Sequence, residues 1–116
     1  MDRPAVLKAF ESLSSGVRLD VFRLLVEAGA GGLVAGQIAQ AIGIPATNLS
    51  FHMKALRKAG LVTVQTEGRF QRYRANVPQM LRVVAYVTES CFAPAETRPA
   101  ATPVGERLPR RVDAPS

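Results

Sequence analysis

The 116-residue chain has a single cysteine, Cys91, and a single histidine, His52. One thiol closes no internal disulfide, which fits a protein of a reducing compartment. One thiol and one imidazole also make no Cys/His cluster for a metal and leave few candidates for a nucleophile–base pair. A glycine-rich loop of the kind that cradles nucleotide phosphates is missing too. These absences argue against an enzyme and against a resident cofactor or metal. No apolar run approaches the roughly 18 residues of a membrane span. The opening Met1-Asp2-Arg3-Pro4-Ala5 is not a basic stretch leading into an apolar one, so no secretory signal is expected. The expectation is a soluble cytoplasmic protein.

Acidic residues are scarce as well: nine Asp and Glu against fifteen Lys and Arg, a net charge of +6. Residues 45–74 hold Lys54, Arg57, Lys58, Arg69, Arg72 and Arg74 against Glu67 alone, so five of those six net charges lie there. A charge excess focused on one stretch suits a polyanionic partner better than general solubility.

Five of the eight prolines fall in residues 93–116, which carry almost no periodic apolar pattern. They read as a flexible tail, too poor in large hydrophobics to bury itself. The length then allows one folded domain, over residues 1–92. Within it Val6, Phe10, Leu13 and Val17 form a helical stripe, interrupted at Ser14-Ser15-Gly16, where either serine could cap a second helix. That helix, 16–28, is expected to bury Val17, Val21, Leu24 and Leu25 and to end at Gly29. A short helix over 34–42 follows, with Ile38, Ala39 and Ile42 inward. Gly43-Ile44 makes a tight turn, and Pro45 suits the first turn of the next helix. The helix over 46–59 sets Leu49, Met53 and Leu56 on one face. Two β stretches, 61–66 and 69–75, join at Glu67-Gly68, although Phe70 and Tyr73 have opposite parity. A last helix over 77–91 carries Val77, Met80, Leu81, Val84 and Val87 as its core stripe. The fold class is mainly α with a small β-hairpin, in the order ααααββα.

A short helix, a glycine-containing turn and a second amphipathic helix make a helix-turn-helix, whose second helix enters the major groove. A basic hairpin directly after it is the expected wing. With Leu49, Met53 and Leu56 inward, Ala46, Thr47, Ser50, Phe51 and Lys54 lie on the outer side. Short polar residues can approach base edges, and Phe51 can meet a thymine methyl. Lys54, Arg57 and Lys58 can reach phosphates, which position a protein without reading sequence.

The segments 36–44 (Gly-Gln-Ile-Ala-Gln-Ala-Ile-Gly-Ile), 48–56 (Asn-Leu-Ser-Phe-His-Met-Lys-Ala-Leu) and 59–62 (Ala-Gly-Leu-Val) resemble the ArsR/SmtB family of winged-helix repressors. So do Arg18-Leu19 and the Glu67-Gly68-Arg69-Phe70 tip. The resemblance covers about residues 5–90. It implies a winged helix-turn-helix that dimerises through its first and last helices and leaves double-stranded operator DNA when an inducer binds. It maps base contacts onto Ala46, Thr47, Ser50 and Phe51, with Ala46 where a polar residue is usual, and a wing-tip phosphate contact onto Arg69.

Metal sensors of that family carry Cys-x-Cys near the third helix, where this chain has Leu33-Val34-Ala35-Gly36. Others use Asp and His on the last helix, and residues 76–90 hold neither. A branch sharing Ser-Phe-His binds trivalent arsenic through three thiolates. Here Thr88-Glu89-Ser90-Cys91-Phe92 keeps one, so that set is incomplete. Cys91 is either a thiol that senses an arsenical or a thiol-reactive signal, or a small hydrophobe at a helix end. His52 reads as a packing or phosphate-contacting residue. Two other functional classes fit the same pattern: a winged-helix module that docks a protein, and a DNA-binding dimer with no small-molecule ligand.

Overall fold

A computed structural model describes residues 1–89. Cys91, the tail at 93–116 and the end expected for the last helix lie outside the described residues. Five α-helices and three strands follow one another: α1 (Arg3–Leu13), α2 (Gly16–Ala28), β1 (Leu33–Val34), α3 (Ala35–Ile42), α4 (Ala46–Lys58), β2 (Val62–Glu67), β3 (Phe70–Ala75) and α5 (Val77–Thr88).

Local chemistry sets most of the boundaries. Asp2 caps α1 by accepting from the Ala5 N–H at 3.0 Å, and Pro4 sits in the first turn, where its missing N–H costs nothing. Of the two candidate serines, Ser15 caps α2 through the Arg18 N–H, while the Ser14 hydroxyl donates to the Glu11 carbonyl and closes α1. The Gln37 side chain reaches back to the Val34 N–H at 2.9 Å and stands in for a cap on α3. Gly43 ends that helix with φ +82°, a left-handed conformation that a side chain would strain. Pro45 is extended and precedes α4 as its N-cap, so its locked φ serves one position earlier than the sequence suggests.

The hairpin turn lies one residue later than expected. β2 runs to Glu67, β3 starts at Phe70, and Gly68-Arg69 form the tip. A strand that the sequence did not announce, β1, pairs antiparallel with β3, Leu33 opposite Tyr73, giving the order β1-β3-β2. Two arginines of β3 fasten the loop before β1: Arg74 Nε donates to the Ala30 carbonyl at 2.7 Å, and Arg72 Nη1 to that of Gly31 at 3.0 Å. Gly32, with φ +62°, lets the chain pass against the Tyr73 carbonyl.

Residues 1–86 share one core, with Leu25, Ile38, Leu49, Met53, Leu56 and Leu61 at its centre. Burying a leucine or methionine of this kind stabilises by about 1.5–3 kcal/mol. Two expected stripes are corrected. In α1, Val6, Ala9 and Ser12 face inward, whereas Phe10 is 46% exposed. In α5, Val83 is the buried residue and Met80 is partly buried, while Val77, Leu81, Val84 and Val87 are exposed. Both helices are apolar on more than one face, and periodicity alone does not choose between stripes. The parity conflict in β3 resolves in the same way: Tyr73 is buried and Phe70 stands out at the tip.

Candidate nucleic-acid interface

α3, the Gly43-Ile44-Pro45 turn and α4 form a helix-turn-helix. Leu49, Met53 and Leu56 are buried along one side of α4 against a core that includes Ile38 of α3. That anchorage leaves Ala46, Thr47, Ser50, Phe51, Lys54, Arg57 and Lys58 exposed, and Phe51 is open to 67%. Arg69 is exposed at the hairpin tip. Every residue named from the sequence as a DNA contact is therefore on the surface, seven of them on one helix and Arg69 on the wing.

Two tertiary interactions bear on this surface that the sequence pattern did not reveal. Arg18 of α2 donates from Nε to Nδ1 of His52 at 3.2 Å. The same guanidinium carbon lies 5.7 Å from the centre of the Phe51 ring, whose edge-to-face partner is His52. His52 thus ties α4 to α2 and helps set the exposed Phe51 ring, a cation–π arrangement on the recognition face. The adjacency of Phe51 and His52 was the only sequence signal for it, and Arg18 lies 34 residues away.

The basic wing carries less free charge than its composition suggests. Arg72 makes a two-oxygen ion pair with Glu67, at 3.0 and 2.9 Å, and it is the only salt bridge among the described residues. Arg74 spends its donors on the Ala30 carbonyl and on Gln65 Oε1. Lys54, Arg57 and Lys58 of α4 and Arg69 of the wing have no such partner among the described residues and are the cations available to a polyanion. Arg72 and Arg74 are structural. Behind the hairpin, Asn76 Nδ2 donates to the Gly60 carbonyl at 2.9 Å and its backbone N–H to that of Leu61, locking the start of α5 to the end of α4.

Among the described residues no group of three or more His, Cys, Asp or Glu side chains is placed to hold a metal ion. No described helix is long and apolar enough to cross a membrane.

A recognition helix held by its apolar side, followed by a β-hairpin, defines a winged helix-turn-helix, a DNA-binding class. A helix-turn-helix domain family model matches residues 13–65. The homodimeric winged helix-turn-helix DNA-binding domain of a possible ArsR-family transcriptional regulator from Mycobacterium bovis is similar in structure, with a TM-score of 0.60 and 30% identity. That match covers 76% of this chain and 82% of that one. An ArsR-like transcriptional regulator from Rhodococcus is 25% identical with a TM-score of 0.64, over 76% of this chain and 79% of that one. No curated protein sequence matches at a significant level. The chain belongs to the ArsR family of winged helix-turn-helix transcriptional regulators. It is a DNA-binding regulator rather than an enzyme.

Proposed function

We propose that the protein is a homodimeric repressor of the cytoplasm that binds an inverted-repeat operator and is released from it by an inducer. The observation that carries this reading is α4 itself: its apolar side is sealed in the core, and its small polar and cationic side chains are exposed. In this assignment Ala46, Thr47, Ser50 and Phe51 meet base edges, and Lys54, Arg57 and Arg69 meet phosphates. The dimer forms through α1 and α5. Leu7 and Phe10 on α1 and Leu81 on α5, 56%, 46% and 61% exposed, are apolar surface that a second copy would bury. Domain organisation follows the sequence reading, with residues 1–92 as the binding and dimerisation domain and 93–116 as the tail. Cys91 makes a trivalent arsenical or a thiol-reactive signal the first inducer class to test.

The test is selection of duplexes from a random pool, followed by affinity measurements across salt. The expected product is an inverted repeat with half-site centres roughly 34–36 Å apart. Its affinity should fall steeply as salt rises, because several phosphates are neutralised. Affinity that stays flat across salt for every duplex overturns the reading. Release of the selected duplex by arsenite or oxidant, compared between wild type and Cys91→Ser, then decides whether the thiol takes part.

A further inference from the structure

We infer that the cleft between α1, α2 and α4 binds a phosphate-type oxyanion. It is lined by Lys8, Glu11 and Ser12 of α1, Arg18 of α2, and Ala55 and Lys58 of α4, and it has a volume of about 240 Å³. Three cations face one carboxylate there. Among the described residues none of the three forms an ion pair, so the cleft keeps a positive excess that Glu11 offsets only in part. Such an excess in a concave, partly shielded site attracts anions more strongly than the same charges on an open face.

The second observation is Ser12. The residue is only 5% exposed, and its hydroxyl has no hydrogen-bond partner among the described residues. A buried hydroxyl without a partner is costly, so it is seldom kept without a use. Ser12 is among the residues that line the cleft, and in the inferred complex its hydroxyl donates to the oxyanion.

Arg18 is the third. Its Nε is committed to His52, and the Phe51 ring lies 5.7 Å from its guanidinium carbon. Those contacts hold the planar group while its two terminal nitrogens are unclaimed among the described residues. A guanidinium fixed in this way is suited to the two-pronged recognition of phosphate. The volume accommodates a phosphate with a few waters, taking about 30 Å³ for each water.

The phosphate can belong to a small free anion or to the DNA backbone, and two arms separate these sources. In the first, the full chain without DNA is titrated with sodium phosphate at constant ionic strength against sodium chloride, followed by amide chemical shifts. Saturable binding that weakens roughly tenfold in Ser12→Ala and in Lys8→Gln, the loss of one charge-assisted contact, assigns the site to a free anion. In the second, the slope of duplex affinity against salt is compared between wild type and Lys8→Gln. A slope smaller by about 1, with no saturable response to inorganic phosphate, assigns the site to a backbone phosphate. The second arm rests on the operator reading and the first does not, so either idea can fail alone. Phosphate indistinguishable from chloride, together with an unchanged slope, overturns the site. Ser12→Ala should melt no lower than wild type, because it removes an unpartnered polar group, so its loss of binding is not a loss of fold.

Discussion

Gly32 and Gly31 are neighbours whose replacement by alanine should have opposite effects. Gly32 has φ +62° and ψ −166°, a region open almost only to glycine, and a side chain there costs about 1–3 kcal/mol in backbone strain. Its Cβ would also run into the Tyr73 carbonyl oxygen and lie 2.7 Å from Arg74 Cγ. Tyr73 sits on the central strand, paired with Leu33 on one side and Val64 on the other, so its carbonyl cannot retreat without disturbing both ladders. Overpacking of this kind adds about 1–3 kcal/mol. The total, about 2–6 kcal/mol, is a large share of the roughly 4–13 kcal/mol expected for a domain of this size. At about 4–8 °C per kcal/mol, Gly32→Ala should lower the Tm by at least ~8 °C. A Cβ on Gly31 meets no atom within 4 Å, and its φ lies outside the left-handed range. Gly31→Ala should therefore be neutral or stabilising by up to about 1 kcal/mol, through the unfolded chain. Thermal melts by far-UV circular dichroism at matched protein concentration read both. Equal melting of the two variants, or a Gly32→Ala Tm within about 2 °C of wild type, would refute the close approach of the loop to β3.

The other expectations concern DNA, the dimer and the junction before α5. Arg69→Ala should weaken all duplexes alike and reduce the salt slope by about 1, whereas Ser50→Ala or Thr47→Ala should relax discrimination by about 1–3 kcal/mol at particular base pairs. The same pattern of loss in all three, read by fluorescence anisotropy on a panel of duplexes, contradicts the division of roles. Leu81→Asp and Phe10→Asp should each convert a dimer to a folded monomer in sedimentation equilibrium; an undiminished dimer mass rules out α1 and α5 as the interface. Asn76→Ala removes the bond to the Gly60 carbonyl and the side-chain acceptor of the Gln79 N–H. It should cost about 1–2 kcal/mol, visible as a Tm lower by roughly 5–15 °C, and an unchanged Tm would show that this junction does not hold α5.

Much of the site was legible before any coordinates. Leu49, Met53 and Leu56 recur at helical spacing between Pro45 and Gly60, so which side of α4 faces inward follows from periodicity over a single helix. The outward set, from Ala46 to Arg57, is its complement. Charge accounting was less reliable. Arg72 and Arg74 counted toward a basic wing, yet Glu67, Gln65 and two loop carbonyls absorb them. Those partners are set by strand pairing and by a loop about 40 residues upstream, and composition carries no trace of that proximity.

What the chain's order of residues determined alone was governed by near neighbours: the break between helices at Ser14-Ser15-Gly16, the turn at Gly43-Ile44 before α4, and which side of α4 is apolar. Tertiary structure alone decided the choices between equivalents. It turned Phe10 and Leu81 outward and Ala9 and Val83 inward, because only packing partners distinguish two apolar stripes on one helix. It made a strand of Leu33-Val34, since a two-residue segment has no periodicity and forms only against β3. It also sank Ser12 beside three unpaired cations, because a polar residue is buried by the helices that close around it.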